Sequence, residues 1–569
     1  MKYALFVNSY IGLHLSYYLF QLVVFMFRYD DKKILVVDDQ RAFHVMLKTM
    51  LSNQGAKDIV FVESTDQAVK VATKQKFDIY LFDYNLGSGK NGVQLFDYLK
   101  RNHLIPNQAL CFIITGDSNK RMVLTAMEKS PDDYLMKPFS PVQLSTRLAA
   151  AMQRKLILQE IYRSISKREY KKAIVLCEQK IDKSPEYRNL CKNLLAEIYI
   201  EMKEYAQAER ILQPLIDLRP LVRPSLTLGK SYYLQENYKQ AIEILTRLIK
   251  YSPLQMEAYR WLARAYKSDG QLMNALDILT QAANTTHHSI ERHQEVALLA
   301  SEMEEYVIML SSYSAILHLS RNSFYPDPCH LANYLRSILT YAKQEKDMTE
   351  RKIILKKVSS TLYQSRFEEG KNKDFNFNGF DEIYQANVSF ALNEPLKAKR
   401  RIFNTLSNMD VAIKDFDTTF LTESLFSLLD IGEFEEATPY LAELSERHII
   451  DPTTEIHIKK QTGALLTNRI DQFTTYNKAG IQYFVDGEYQ RAIESFDKAL
   501  ALEPLNSGAI LNRSQVFISL LQHDVKKNAY LIKECENSIV VLNNTHLPAQ
   551  HGERLKILRS ELKKLKQMI

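Results

Sequence analysis

The chain is short of the residues that break helices: 569 residues carry only 16 glycines and 16 prolines. So little loop punctuation favours long helical stretches. Cysteine is scarcer still. Cys111, Cys177, Cys191, Cys329 and Cys535 stand far apart with no Cys-x-x-Cys spacing, which points to reduced, packed thiols in a cytosolic compartment and away from disulfides or a cysteine metal site. A strong excess of one charge is also missing. The net charge of +7 is modest for this length and the basic residues are spread among acidic ones, so charge gives no reason to expect a nucleic-acid partner. A hydrophobic fraction of 46% beside 25% charged residues excludes a disordered composition. At about one domain per 150 residues, a chain this long divides into roughly three or four units.

One stretch lacks charge altogether. Tyr3 to Phe27 holds no charged residue and is long enough to cross a bilayer as a helix. Two readings of residues 1–28 stay open. As a membrane anchor followed by Arg28, Lys32 and Lys33, the segment leaves the rest of the chain in the cytoplasm, at the inner face of the membrane. Alternatively it is a non-native start, with Met26 close before the first domain. Asn8, His14 and Gln21 interrupt the run, and no small-residue cleavage site marks a secretory signal. A cytoplasmic location is expected either way, and a membrane contact only if residues 3–27 are an anchor.

From Lys33 the pattern alternates. Strands are predicted at Ile34 to Val37, Ile59 to Val62, Ile79 to Phe82, Leu110 to Thr115 and Tyr134 to Met136. Helices are predicted at Arg41 to Asn53, after Ser64-Thr65, at Val93 to Arg101, at Asn119 to Lys129 and from Ser140-Pro141 onward. Five βα units imply a parallel, doubly wound sheet of the flavodoxin-like α/β class. Ser140 with Pro141 is a sound helix start, an N-cap hydroxyl followed by Pro at the first helical position.

Polar residues then fall at the C-terminal ends of these strands, where open α/β sheets place their ligand sites. They are Asp38-Asp39, Asp83, Thr115 and Lys137 before Pro138. Taken singly, Asp-Asp reads as a helix cap and Lys-Pro as a turn. In this order they read as a phosphoryl-accepting site. A phosphoryl group in transfer spreads negative charge over its oxygens, so carboxylates alone would repel it; a lysine and an oxygen-loving divalent cation supply the counter-charge.

These residues and their separations resemble the receiver domain of two-component response regulators, of the CheY-like kind, over about residues 33–152. The resemblance implies that Asp83 takes a phosphoryl group from the phosphohistidine of a sensor histidine kinase or phosphotransfer protein. By the same resemblance Asp38, Asp39, Asp83 and the backbone carbonyl of Asn85 hold Mg²⁺. Thr115 binds a phosphoryl oxygen, Lys137 neutralises it, and Tyr134 is the aromatic that turns inward on phosphorylation. The chain departs from the family after Asp83. Tyr84-Asn85-Leu86-Gly87-Ser88-Gly89-Lys90-Asn91 lacks the usual proline and is about one residue longer, which bears on metal affinity and phosphoryl lifetime. Gly87 to Lys90 lacks the spacing of a nucleotide-binding P-loop.

Behind this domain the strands stop and a unit repeats. Tyr205-x-x-Ala208, Tyr238-x-x-Ala241 and Tyr489-x-x-Ala492 each sit before a predicted helix that ends near Pro220, Pro253 or Pro504. Ala208, Ala241 and Ala275 are separated by 33 and 34 residues. Gly480, Tyr483, Gly487, Tyr489, Ala492 and Phe496 complete one copy; weaker copies surround Tyr170, Tyr306 and Phe434. The pattern resembles tetratricopeptide repeats, implying an all-α helical solenoid with a groove for a protein ligand.

The expected organisation is repeats over residues 159–321, a divergent helical region over 322–410 with a polar loop at Lys371 to Gly379, and repeats with a C-terminal capping helix over 411–569. Leu555, Leu558, Leu562 and Leu565 suit such a cap better than a dimer zipper, since their spacing spans too few heptads. Tyr199, Tyr232 and Tyr266 are expected in the core, and Asn193, Lys230 and Arg264 on the exposed first-helix face. His287, His288 and His293 read as a helix-turn surface. Between Pro141 and Ser184 there is no Pro or Gly, so the last receiver helix is expected to run into the first hairpin.

The expected function is a response regulator, not an enzyme, whose output is protein binding by the repeats. No helix-turn-helix, cyclase, phosphodiesterase or ATPase motif follows the receiver. The alternative is a phosphate sink, relay or scaffold that docks a sensor kinase independently of phosphorylation.

Overall fold

The computed structural model describes residues 29–569 apart from 88, 117–128, 130, 219–220, 287–288, 322, 325–326, 410, 450, 524–528, 544–546, 548 and 569. The apolar segment 1–28, most of the helix expected from Asn119, and His287 and His288 therefore lie outside the described residues. The chain divides into two compact units, one of residues 1–303 with 318–326 and one of 304–317 with 327–569. Among the described residues no helix is long and apolar enough to cross a membrane.

The first unit opens on β1 (Lys33–Val37), α1 (Arg41–Ser52), β2 (Asp58–Val62), α2 (Thr65–Lys74), β3 (Ile79–Asp83), α3 (Gly92–Arg101), β4 (Leu110–Thr115), β5 (Asp133–Met136) and α4 (Pro141–Ser166). The strands form a five-stranded sheet in the order β2-β1-β3-β4-β5, all paired parallel. Both faces are covered, which is why the strands read as continuous apolar runs and not as alternation. Ile34, Val36, Leu81, Phe112 and Ile114 pack with Leu47, Leu51, Leu144 and Leu148 on one face. Leu35, Val37, Tyr80, Phe82 and Ile113 pack with Ala68, Ala72, Val93 and Phe96 on the other. The register pairs Val37 with Phe82, Asp83 with Ile114 and Thr115 with Met136. This brings the C-terminal ends of β1, β3, β4 and β5 to one rim.

Helix α4 belongs to two cores. Ser140 and Gln143 close a capping box before Pro141, and the helix then runs 26 residues, about 39 Å at 1.5 Å per residue. Leu144, Leu148 and Ala151 pack under the sheet. Leu158 and Ile161 pack with Ala173, Cys177 and Cys191 of the next hairpin. No loop separates the sheet domain from the helices that follow.

Those helices are α5 (Tyr170–Lys183), α6 (Arg188–Glu201), α7 (Tyr205–Leu218), α8 (Val222–Leu234), α9 (Tyr238–Tyr251), α10 (Met256–Ser268), α11 (Leu272–Thr285) and α12 (Ile290–Glu302). The chain continues through α13 (Tyr306–Arg321) into α14 (Pro328–Gln344), α15 (Met348–Glu369), α16 (Phe377–Ala391), α17 (Pro395–Ser407), α18 (Thr418–Asp430), α19 (Phe434–Ser445) and α20 (Pro452–Gln461). Then follow α21 (Ala464–Val485), α22 (Tyr489–Leu502), α23 (Ser507–His523), α24 (Ala529–Asn543) and α25 (Ala549–Met568).

A single turn recurs between paired helices. Arg168, Lys203, Glu236, Gly270, Glu304, Asn393, Gly432 and Gly487 all take positive φ, each two residues before a helix begins. The next N–H reaches back five residues: Glu169 to Ser164, Glu204 to Tyr199, Asn237 to Tyr232, Gln271 to Tyr266, Glu394 to Ser389, Glu433 to Leu428 and Glu488 to Tyr483. This is the 6→1 bond of a Schellman cap, which satisfies carbonyls that the helix end would leave unpaired. Close helix approach is visible at Gly480, where a Cβ would sit 2.7 Å from the Phe496 ring.

Three details differ from the sequence-based expectations. Asn193 is buried, not exposed, because its amide accepts from the Thr227 hydroxyl at 3.1 Å and donates to Glu197 at 2.7 Å. The segment expected as a polar loop to Gly379 ends earlier: Asn376 caps α16 through Gly379 N–H, and Phe375 and Phe377 are buried. The divergent region contains the Asn393 turn, so α16 and α17 form a hairpin that no sequence copy marks. Leu555, Leu558, Leu562 and Leu565 are buried against Leu511, Ile518 and Cys535 within the chain, as a capping helix requires.

Candidate functional site

The rim of the sheet gathers three carboxylates and one ammonium. Each is delivered by the end of a strand whose apolar residues are locked between two cores. Ligand oxygens of Asp38, Asp39 and Asp83 lie within 4.8 Å of one another. The Lys137 ammonium bridges two of them, donating to Asp38 Oδ2 at 2.7 Å and lying 2.9 Å from Asp83 Oδ1. It also sits 3.8 Å from the centre of the Phe43 ring, a cation–π contact that holds the lysine on this side of α1. Asp38 is fixed further by the Gln40 N–H at 2.8 Å, and His44 bonds its carbonyl at 2.7 Å.

The charges do not balance. Asp38 and Asp83 are almost fully buried, and one lysine faces three carboxylates. Burial raises the Asp83 carboxyl, the hydrogen bond and charge of Lys137 pull it down, and Asp38 and Asp39 push it up; the result is about 6. Ionised Asp83 is thus held at a cost. Three carboxylates whose negative charge exceeds that of the one lysine among them fit a hard divalent cation such as Mg²⁺. Asp38, Asp39 and Asp83 are the side chains that would hold it.

The remaining expected residues take different places. Thr115 is the last residue of β4 and buried, and its carbonyl accepts the Lys137 N–H at 2.7 Å. Asn85 is exposed two residues beyond Asp83. Tyr134 lies half-buried in β5, its ring 5.4 Å from the Arg147 guanidinium, and is not part of the carboxylate cluster. Sequence reasoning missed Phe43, His44 and Gln40, whose only signal was their place in the first turns after β1. It also missed Gly92. A Cβ there would lie 2.0 Å from the Asp83 carbonyl oxygen, so only glycine lets α3 start this close to the site.

The long loop between Asp83 and Gly92 is anchored at both ends. Tyr84 N–H donates to Ile114 at 2.7 Å, Gly92 N–H to Tyr84 at 3.0 Å, and Asn91 closes a capping box with Gln94. Near its end Lys90 lies 4.3 Å from the Phe324 ring, which also stacks on Tyr98 of α3 at 4.5 Å. Beside it Glu291 of α12 pairs with Arg101 at 3.1 Å and Lys129 at 3.3 Å, and Lys129 reaches Asp97 at 3.4 Å. Burial would raise Glu291, but Lys129, its own N–H and Ser289 outweigh that and hold it down at about 2.

The first-helix face of the repeats is charged and cross-linked. Lys230 of α8 pairs with Glu257 of α10 at 2.5 Å, Arg260 of α10 with Glu295 of α12 at 3.0 Å, and Lys267 with Glu302 at 2.5 Å. Arg264 remains exposed beside Trp261. Tyr199, Tyr232 and Tyr266 pack partly buried against the inter-repeat clusters.

Comparison with known proteins agrees with this division. The family model described as response regulator receiver domain matches residues 34–149. Models described as tetratricopeptide repeat match 164–222 and 226–286. The transcriptional regulatory protein YvrH of Bacillus subtilis is 29% identical over 125 residues, 22% of this chain and 51% of that protein. The phosphate regulon transcriptional regulatory protein PhoB of Pseudomonas aeruginosa is 33% identical over 123 residues, 22% of this chain and 52% of that protein. The chain therefore spans about half the length of these relatives. Among solved structures, a CheY-like receiver domain protein of Methanospirillum hungatei is 21% identical, covering 22% of this chain and 95% of that one with a TM-score of 0.20. Residues 34–149 are thus a response regulator receiver domain, and tetratricopeptide repeats follow it.

Proposed function

We propose that the chain is a phosphoacceptor response regulator whose output is protein binding by its repeats. The observation that carries this reading is the Asp83 carboxylate, held at the end of β3 between Asp38, Asp39 and the Lys137 ammonium. In the proposed step an Asp83 oxygen attacks the phosphorus of a phosphohistidine; the P–N bond breaks and its electron pair leaves with the imidazole. Lys137 exchanges part of its contact with the carboxylates for the phosphoryl oxygens, and Thr115 donates its hydroxyl to one of them. Mg²⁺ bound by the carboxylates supplies counter-charge for the transferring group.

Coupling to the repeats is supported by three physical links. Helix α4 is shared between the two cores. Lys90, on the loop leaving Asp83, meets Phe324. Lys129 and Arg101 meet Glu291 at the start of α12. Phosphorylation that shifts the loop after Asp83 would act on α12 through these contacts, altering the charged first-helix face. The partner upstream is a histidine kinase or phosphotransfer protein, and the partner downstream a protein ligand of that face.

The test is incorporation of phosphate from acetyl phosphate or a phosphorylated kinase in the presence of Mg²⁺, followed by capture of partners with and without beryllofluoride. Incorporation lost in Asp83→Asn, with beryllofluoride-dependent partners absent from that variant, is expected. No incorporation from any donor would remove the phosphoacceptor role. Kinase capture that is equal for wild type and Asp83→Asn would instead favour a scaffold or phosphate sink.

A further inference from the structure

The second unit holds a cluster of metal-ligating side chains that the phosphoacceptor reading does not use. Cys329 and His330 occupy the first turn of α14, after Asp327 and Pro328. Asp451 caps α20, accepting the Thr454 N–H at 2.8 Å and the Asn333 amide at 2.9 Å. More than a hundred residues of sequence separate the two helix starts, yet ligand atoms of Cys329, His330 and Asp451 lie within 4.8 Å of one another. Cys329 Sγ and His330 Nδ1 are 3.8 Å apart, close to the separation that sulfur and nitrogen ligands of one tetrahedral ion show. Both side chains are buried, at 7% and 8% exposure.

We propose that Cys329, His330 and Asp451 bind one borderline-soft divalent ion of the Zn²⁺ class, with water in the fourth position, pinning the start of α14 to the start of α20.

Sulfur, imidazole and carboxylate together suit such an ion and not Mg²⁺, which takes oxygen. Binding takes His330 as the neutral imidazole and displaces the Cys329 proton to solvent, leaving a thiolate. Arg336, about two turns further along α14, does not oppose the ion unpaired: it is tied to Glu423 at 3.3 Å and to Thr454 at 3.0 Å. The early expectation against a cysteine metal site rested on the missing Cys-x-x-Cys spacing. A mixed-ligand site assembled from two distant helix starts leaves no such mark.

The site is independent of the receiver chemistry, and the test keeps the two apart. The full chain is stripped with EDTA, supplied with excess Mg²⁺ to occupy oxygen sites, and titrated with Co²⁺. One equivalent should bind with a near-ultraviolet thiolate-to-cobalt absorption and tetrahedral visible bands, both displaced by Zn²⁺. The thiolate band should vanish in Cys329→Ser and persist unchanged in Asp83→Asn. Asp451→Asn keeps the helix cap and should weaken Co²⁺ by about tenfold or more with the thiolate band retained. Wild-type protein that shows no thiolate band overturns the proposal without recourse to any variant, and so does a band undiminished in a folded Cys329→Ser protein.

Discussion

The receiver and the second unit both bury charge, but to opposite effect. At the rim of the sheet three carboxylates share one lysine, and Asp83 is raised to about 6, so the folded state carries electrostatic strain where chemistry is proposed. In the second unit Lys399 and Glu433 are buried and paired with each other, and Lys399 also donates to the Leu505 carbonyl at 2.5 Å. There the charges are matched and bind α17 to the turn before α19. Unbalanced charge is where a cation and a phosphoryl group are proposed to enter; balanced charge marks a joint.

The largest effect should come from breaking the joint. Lys399→Ala leaves Glu433 buried without its ammonium and should cost about 3–5 kcal/mol, read from urea unfolding, with no recovery on adding Mg²⁺. Recovery with Mg²⁺ would put the cost in the wrong place. Asp83→Asn should act in the other direction. A carboxyl raised in the folded state makes stability fall as pH climbs from the unfolded value near 3.8 through about 6. Removing its charge should therefore stabilise the Mg²⁺-free protein at pH 7 by roughly 1–3 kcal/mol while abolishing phosphate incorporation. An unchanged or lowered stability would mean that the carboxylates are not in surplus.

Smaller changes probe the turns and the contact between the two regions. Glu236 sits at φ 61°, a backbone conformation that L side chains adopt at a cost of about 1 kcal/mol. Glu236→Gly should raise stability by about that amount in thermal unfolding, against the usual penalty for glycine; a loss would show that the side chain, and not the backbone, governs the turn. The smallest effect belongs to Glu291→Gln. Glu291 is held at about 2, so its contribution is present above the unfolded value near 4.5 and fades as pH falls toward 2. Its side chain is 46% exposed, so the difference between wild type and variant should be at most about 1 kcal/mol at pH 7 and should shrink by pH 3 or in high salt. A difference constant from pH 7 to pH 2 would exclude the ion pair as its source.

The two regions were also unequally legible. Asp38, Asp39, Asp83, Thr115 and Lys137 are spread over a hundred residues, yet each ends an apolar run, and parallel strands with a common direction carry such ends to one rim. The rule is topological and needs no knowledge of contacts. Ala208, Ala241 and Ala275, separated by 33 and 34 residues, likewise marked second helices through their period. The turn that precedes those helices was not readable. Its αL residue is glycine at Gly270, Gly432 and Gly487, but it is Arg168, Lys203, Glu236, Glu304 and Asn393 elsewhere. Local propensity is overruled there by the capping bond and by packing between the paired helices.

By itself the sequence determined the parallel sheet, the place of the carboxylate cluster on it and the repeat period, because each follows from the order and spacing of apolar and polar residues along the chain. Only the tertiary structure decided that Phe43 holds Lys137, that Gly92 lets α3 approach Asp83, and that Asn193 is buried. It alone brought Glu291 to the receiver and Asp451 to Cys329 and His330. These are meetings between residues far apart in the chain, and their distances depend on how helices pack, which no spacing along the sequence encodes.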